Sequence, residues 1–81
     1  MSKTPDELLE IVRAATVNIL GVDAASVTLE ANFAEDFEAD SLAMVEIITE
    51  VEDELGIEVP PDELKDVKTV GQAVDLLAGK V

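Results

Sequence analysis

The sequence predicts an all-α fold, a small bundle of three main helices plus one short helix, with a long first loop. Apolar residues recur at helical spacing in three segments that are bounded by capping residues and glycines. The one strand-like run, residues 57–59, is stopped by two prolines and has no visible partner strand. The chain has 81 residues, which is enough for a single domain, residues 1–81.

The first main helix is predicted over Pro5–Leu20. Thr4 can cap its start, Pro5 suits the first helical position, and Glu7 completes a capping box. One face then repeats apolar side chains, namely Leu8, Val12, Ala15 and Ile19. Gly21 is a natural C-terminal stop, so we expect the helix to end at Leu20.

Residues 21–40 show no clean period and are predicted to form a long loop. Its apolar residues are spread among polar ones, and they are Val22, Val27, Leu29, Phe33 and Phe37. Long loops in small domains are usually functional or disordered. The recurrence of apolar residues along this segment indicates a loop that is pinned to the core.

A second main helix is predicted over Ser41–Leu55, with Asp40 as its N-cap. Pro61–Leu64 is predicted to form a single helical turn. The last helix begins at a second capping box, residues 69–72, and ends at Gly79. Its apolar stripe consists of Val70, Ala73, Val74 and Leu77.

Composition excludes several classes of protein. The chain has no cysteine and no histidine, so it lacks disulfides, thiolate metal sites and the commonest general base. Its net charge of −14, from 19 acidic and five basic residues, repels nucleic acid and anionic lipid and favours basic protein partners. No apolar stretch approaches the ~20 residues of a membrane span, and the first ten residues do not resemble a signal peptide. We expect a cytoplasmic monomer.

The second main helix has two distinct faces. With Ser41 at 0° and about 100° per residue, the core face holds Met44, Ile47, Ile48, Val51 and Leu55. A separate sector mixes apolar and acidic side chains, namely Leu42, Val45, Glu46, Thr49, Glu52 and Asp53. Residues 14–64 contain 14 acids and no Lys or Arg, so nothing within this segment relieves their repulsion. A merely solvated acidic face is the simpler alternative, but the exposed Leu42 indicates a docking surface.

Ser41 follows the Asp40 cap and is the first residue of this helix. Its hydroxyl can face solvent, and the N–H groups and dipole of a helix N-terminus favour a bound anion. A phosphate esterified to Ser41 would therefore lie in a favourable position. A lone serine at a helix start is usually only a tolerated first-turn residue, so the surrounding sequence has to decide.

That surrounding sequence resembles the attachment site of acyl carrier proteins. Residues 36–42, with the sequence DFEADSL, are similar to the Asp-Ser-Leu site of this family. Phe33 and Asp36 fit the family's aromatic and acidic positions before the site. Residues 57–60 fit the segment after the second helix, and residues 67–70 fit the entry to the last helix. The resemblance covers nearly the whole chain.

The resemblance implies that Ser41 carries 4′-phosphopantetheine, which a phosphopantetheinyl transferase adds from coenzyme A with Mg²⁺. The arm would supply the thiol that holds an acyl group as a thioester, so the chain is expected to be a carrier and not an enzyme. Fatty-acid or polyketide synthesis enzymes with basic docking patches would contact Asp40, Leu42, Val45, Glu46, Thr49, Glu52 and Asp53. The acyl chain is expected between the helices, where the candidate lining residues are Ile48, Val51, Ile57 and Val59.

Three positions depart from the family's common pattern. Glu38 stands where the family usually has Gly, Ala43 where an acid often follows Leu, and Thr49 where Met is frequent. The high acidity and the run Val45-Glu46-Ile47 favour a carrier of fatty-acid synthesis. A polyketide carrier is the alternative.

The acidic residues also allow three other functions, namely a calcium-binding module, a hydrolase and an acidic adaptor or DNA mimic. Asp36, Glu38 and Asp40 alternate as in an EF-hand loop, but Ser41 replaces the required Gly and Ile47 the required Glu. We therefore expect no specific metal site, only diffuse divalent binding to crowded carboxylates. A carboxylate-pair hydrolase would need a cleft that the sequence does not suggest. An acidic adaptor or DNA mimic would not need Ser41.

Overall fold

The computed structural model describes residues 3–81 and confirms the all-α prediction with three main helices. Within these residues the elements are α1 (Pro5–Leu20), a 3₁₀ turn (Ala24–Ser26), α2 (Phe33–Phe37), α3 (Ser41–Leu55), α4 (Pro61–Leu64) and α5 (Val70–Ala78). Residues 57–59 are irregular, so the strand option there is not realised. The predicted domain of residues 1–81 includes Met1 and Ser2, which lie outside the described residues.

The N-terminus of α1 forms the predicted capping box. The Thr4 hydroxyl accepts a hydrogen bond from the Glu7 N–H at 3.2 Å, and the Glu7 carboxylate accepts one from the Thr4 N–H at 3.1 Å. The Thr4 N–H bond favours the charged carboxylate and so lowers the pKa of Glu7 from its ordinary value. Gly21 ends the helix with a left-handed backbone, φ 69°.

The predicted long loop contains a helix, α2, that the periodicity did not indicate. The Asn32 side chain accepts hydrogen bonds from the N–H groups of Ala34 and Glu35, at 3.0 and 2.9 Å. The Asp36 carboxylate reaches back to the Asn32 N–H at 2.6 Å. These reciprocal bonds start a helix of five residues, which is too short to show a helical period in sequence.

The loop is pinned to the rest of the fold by hydrogen bonds to its backbone carbonyls. Nε and Nη2 of Arg13 donate to the Val27 carbonyl at 3.2 and 3.0 Å. The Gly71 N–H donates to the Leu29 carbonyl at 2.9 Å. A Cβ atom on residue 71 would lie 3.0 Å from that same oxygen, so glycine permits this close approach of loop and α5.

The core lies where α1 packs against α3 and α5. Its largest fully buried side chains are Leu8, Val12, Thr16, Val27, Phe33, Ile47, Ile48, Val51, Val70 and Leu77. Met44 and Leu55, predicted on the core face of α3, are only half-buried and pack at its margin. The short α4 contributes no fully buried side chain.

Glu38 ends α2 with a left-handed backbone, φ 55°, and is the single non-glycine residue within residues 3–81 with a positive φ. A side chain in this region costs about 1–2 kcal/mol. Glycine at this position would remove that cost and so stabilise the fold. Part of the stabilisation is lost, because glycine also gives the unfolded chain more conformational freedom. We expect Glu38→Gly to raise the free energy of unfolding by about 0.5–1 kcal/mol, measured by thermal or urea denaturation.

Glu58→Gly is the matched control for this substitution. Glu58 is also exposed and acidic, but its φ is not positive, so the same change of residue should destabilise the fold there. Equal melting temperatures for the two variants would mean that loss of a negative charge, and not relief of backbone strain, controls the effect.

Candidate functional site

Ser41 lies at the first position of α3, where the chain enters the helix from the Asp40 cap. The Asp40 carboxylate accepts a hydrogen bond from the Ala43 N–H at 2.8 Å, and its carbonyl accepts one from the Met44 N–H at 3.0 Å. Ser41 is exposed, and within residues 3–81 its hydroxyl takes part in no hydrogen bond. The hydroxyl is therefore free to be modified without a loss of native contacts.

The surroundings of Ser41 suit a phosphodiester. The first N–H groups of an α-helix have no intrahelical acceptor, and together with the helix dipole they favour negative charge. Asp40 engages one of these groups through the Ala43 N–H, while those of Ser41 and Leu42 precede any intrahelical acceptor. A phosphate on the Ser41 oxygen would lie beside them.

An open cleft of about 390 Å³ adjoins Ser41. It lies between α3, α4 and the segment before α5, and its apolar lining consists of Ala39, Met44, Val45, Pro61, Leu64 and Val67. Lys65 also lines it, with an exposed ion pair to Asp62 at 3.5 Å. A second cleft of about 340 Å³ shares Ala39, Met44 and Val67 and extends to Phe33. Apolar space therefore begins beside Ser41 and continues on the far side of Met44.

The residues predicted to line an acyl pocket lie elsewhere. Ile48, Val51 and Val59 are 2%, 0% and 6% exposed, and they pack within the core. Ile57 is half-buried. None of the four lines either cleft beside Ser41. The accessible apolar surface beside Ser41 is formed by Met44, Val45, Leu64 and Val67, none of which was predicted to line an acyl pocket.

Most of the predicted partner-binding residues lie at the surface of α3. Leu42 and Val45 are 66% and 47% exposed, and Asp40, Glu46, Thr49 and Asp53 are exposed as well. Leu42 is thus the most exposed of the large apolar side chains in the described residues. Such a side chain costs free energy in water unless a partner covers it.

Glu52 differs from the other predicted partner-binding residues. It is half-buried, and its carboxylate accepts a hydrogen bond from the Val59 N–H at 2.7 Å. It also lies one turn before the end of α3, where its carbonyl accepts the Gly56 N–H at 2.7 Å. Glu52 therefore holds the segment between α3 and α4 against the helix, a structural role that its place on the helical wheel did not reveal.

Two of the three carboxylates that resembled an EF-hand, those of Asp36 and Asp40, are engaged in helix capping. Asp36 accepts the Asn32 N–H and Asp40 accepts the Ala43 N–H. Within residues 3–81 no group of three or more metal-ligating side chains is arranged to hold a metal ion. Over the same residues, no helix combines the length and the apolar character needed to cross a bilayer.

Divalent cations should nevertheless stabilise the protein through diffuse binding. The chain has a net charge of −14, and unrelieved repulsion between carboxylates destabilises a compact state. We expect millimolar Mg²⁺ or Ca²⁺ at low salt to raise the melting temperature more than NaCl of equal ionic strength. Circular dichroism melting curves measure this, and curves that do not move with divalent cation would contradict it.

The sequence is similar to a known family over most of its length. Residues 10–77 match the family described as "Phosphopantetheine attachment site". The chain is 47% identical over 70 residues to an acyl carrier protein of Rubrobacter xylanophilus, covering 86% of each chain. It is 44% identical over 78 residues to an acyl carrier protein of Petrotoga mobilis, covering 96% of this chain and 92% of that one.

The fold is similar to that of a solved structure. The acyl carrier protein from Enterococcus faecalis, studied for its high thermal stability, superposes with a TM-score of 0.78 at 33% sequence identity. The superposition covers 98% of this chain and all of that one. Sequence and fold therefore agree on one family.

Proposed function

Within the acyl carrier proteins, the family to which this chain belongs, we propose that Ser41 holds the covalent 4′-phosphopantetheine arm and that the carrier serves fatty-acid synthesis. Members of this family are carriers and not enzymes. The observation that carries the proposal is the geometry of Ser41. It is an exposed first-turn serine of α3, and an apolar cleft of about 390 Å³ opens beside it.

The chain's own residues prepare Ser41 for modification. The Ser41 oxygen would form a phosphodiester by attacking the phosphate of coenzyme A next to the pantetheine. The nucleotide half of coenzyme A would leave, and the hydroxyl proton would pass to a base on the transferase. Asp40 holds the helix start in place through the Ala43 N–H at 2.8 Å, so the nucleophile is presented on a rigid element. The bound arm supplies the thiol that this cysteine-free chain lacks.

The cleft beside Ser41 is a suitable place for the acyl chain. Its lining is mainly apolar, and burial of each methylene group is worth about 0.8 kcal/mol. Widening it requires movement of α4, which has no fully buried side chain to anchor it. An acyl chain would contact the predicted lining residues only if it entered the core and displaced side chains there. These residues are Ile48, Val51, Ile57 and Val59. They remain candidates for long acyl groups.

Partner enzymes are proposed to dock on the exposed face of α3. Leu42 and Val45 would supply the apolar contact, and Asp40, Glu46 and Asp53 would attract a basic patch on the enzyme. The phosphopantetheinyl transferase would use the same face, since Ser41 lies at its edge. Charged contacts of this kind raise the association rate more than the affinity. Fast association and release suit a carrier that visits several enzymes. The proposed compartment of this carrier is the cytoplasm.

Charge reversal on this face should slow association. We expect Glu46→Lys to lower the association rate with the transferase about tenfold at low salt, because it replaces attraction by repulsion at the contact. Stopped-flow measurements across a salt series provide the test, and the salt dependence should become shallower in the variant. Glu30→Lys, an equal change of an exposed acid before α2, is the control. Equal slowing by both variants would point to net charge instead of a docking face.

A reconstituted elongation assay would test the pathway. The modified protein would be offered malonyl groups by the malonyl transferase of a dissociated fatty-acid system and, separately, by that of a polyketide system. Loading and repeated reductive elongation by the fatty-acid enzymes would support the proposal. Loading by the polyketide enzymes alone would favour the second candidate, a polyketide carrier, with which the departures at Ala43 and Thr49 are compatible.

A further inference from the structure

A second apolar groove lies between α1 and α3, apart from the cleft at Ser41. Its volume is about 470 Å³. The small side chains of Ala14 and Ala15, beside Ile11, form its floor on α1. Polar groups surround it, and they are Glu10, Asn18, Glu50 and Glu54. The two alanines leave this space open where larger side chains would have filled the contact between the two helices.

This groove is separate from the proposed docking face. Glu50 lies nine residues after Ser41, which is about 14 Å along the axis of α3. On the helical wheel Glu50 and Glu54 lie at roughly 180° and 220°, outside the sector of Leu42, Val45 and Glu46. A molecule bound in the groove would therefore leave Ser41 and the first turns of the docking face, with Leu42 and Val45, accessible.

The charges around the groove are all negative and largely unpaired. Glu50 and Glu54 are four residues apart on α3, and neither forms an ion pair within residues 3–81. The Asn18 side chain donates to Glu50 at 2.6 Å and so holds that carboxylate at the rim. The nearby cation, Arg13, is already engaged with Glu10 and with the Val27 carbonyl. The groove thus offers carboxylates to a cation that the fold itself does not supply.

We propose that this groove binds a basic amphipathic helix of a partner protein, with apolar side chains on the floor and Lys or Arg against the rim carboxylates. Helix-in-groove binding of this kind uses apolar anchors three or four residues apart, and a groove of about 470 Å³ has room for several. Charge complementarity selects this occupant. A second copy of the chain, a nucleic acid and an anionic lipid surface would each bring further negative charge to a chain of net charge −14.

The proposal goes beyond carriage of an acyl group and does not depend on it. A partner seated between α1 and α3 could remain bound while an enzyme uses Ser41. The groove would then serve as a tether, raising the effective concentration of the carrier near its partner.

The test is a titration of the ¹⁵N-labelled full chain with a short amphipathic helical peptide of leucine and lysine. We expect saturable shifts in the amide signals that are largest at Ile11, Ala14, Asn18 and Glu50. Ala14→Lys should raise the dissociation constant about tenfold, since it fills the groove and repels the peptide. Ala78→Lys makes the same change at an exposed position on α5 and should leave binding within about twofold of the parent.

A second pair of variants covers any folding defect in Ala14→Lys. Glu50→Gln with Glu54→Gln keeps the groove's shape and should weaken binding, whereas Glu30→Gln with Glu35→Gln removes two exposed charges elsewhere and should weaken it less. Three results would overturn the proposal. They are shifts centred on Leu42 and Val45, shifts spread without saturation over all acidic residues, and equal weakening by the two double variants. None of these results bears on the modification of Ser41. The proposal for the groove can therefore be wrong while the carrier function stands.

Discussion

Ser41→Ala is expected to abolish attachment of phosphopantetheine completely. The phosphodiester needs the serine oxygen, and alanine offers no atom that can replace it. The substitution should leave the fold intact, because Ser41 is exposed, its hydroxyl makes no hydrogen bond within residues 3–81, and alanine is a good helix former. The Asp40 cap, which starts α3, bonds to the Ala43 N–H and is unaffected.

Intact mass before and after incubation with coenzyme A, Mg²⁺ and a broad-specificity transferase is the measurement. The parent should gain one phosphopantetheine and the variant none. Ser26→Ala, an exposed serine in the 3₁₀ turn, is the matched control and should be modified like the parent. No gain in a parent protein that starts unmodified would remove Ser41 as the attachment site, and a gain in Ser41→Ala would assign it to another residue.

Phe33→Ala is expected to lower the free energy of unfolding by about 3–5 kcal/mol. Phe33 is 2% exposed, and its ring meets that of Phe37 edge to face at 6.2 Å between centroids. Its N–H donates to the Lys68 carbonyl at 3.0 Å, and its carbonyl accepts the Ala39 N–H at 2.9 Å. Small domains have only about 5–15 kcal/mol of net stability, so the loss would be a large fraction of the total.

Urea denaturation of the parent, Phe33→Ala and Phe33→Leu would measure this effect. Phe33→Leu keeps most of the buried volume and should cost less, which gives a result even if the alanine variant is mostly unfolded. Phe37→Ala removes a half-buried ring from the same helix and should also cost less. A loss below about 1 kcal/mol for Phe33→Ala would show that the loop is not anchored by its ring.

Phe33→Ala should also disturb the backbone that positions Ser41. The Phe33 carbonyl holds the Ala39 N–H two residues before the serine, so its displacement would loosen the entry to α3. We therefore expect slower modification of Phe33→Ala by the transferase at a temperature where most of the protein is still folded. The Phe37→Ala variant should be modified at close to the parental rate.

The ends of the main helices could be predicted because capping residues and glycines mark them within a few positions of sequence. Thr4 with Glu7 and Thr69 with Gln72 form capping boxes, and the bounds of α1 and α3 agree with those predicted from caps and glycines. Such signals depend on residues within one turn of each other. The short α2 was missed because five residues cannot show a helical period, although Asn32 followed by Asp36 was a usable signal of its start.

For the candidate site, the structure shows the exposure and the contacts of the predicted residues, while their roles stay a prediction. Local sequence placed Ser41 after an N-cap and defined the exposed face of α3, because capping and the helical wheel are local properties. The resemblance of residues 36–42 to a family's attachment site then selected Ser41 as the modified residue.

Local sequence could not show that Glu52 is bonded to the Val59 N–H, since that contact depends on how the chain turns after Gly56. The acyl-pocket candidates Ile48, Val51 and Val59 do lie in the core between the helices, as predicted, and their contact with an acyl chain stays a prediction.

The sequence by itself determined the fold class, the ends of the main helices, the acidic surface and the place of Ser41 at the start of a helix. These follow from charge, from hydrophobic period and from capping, each of which acts over a few residues. Tertiary structure alone decided which apolar side chains stay accessible. Met44, Leu64 and Val67 line one cleft beside Ser41, and Ala14 and Glu50 line the groove between α1 and α3, because of how these parts of the chain pack. A cleft is space left between elements, so no single segment of sequence can specify it.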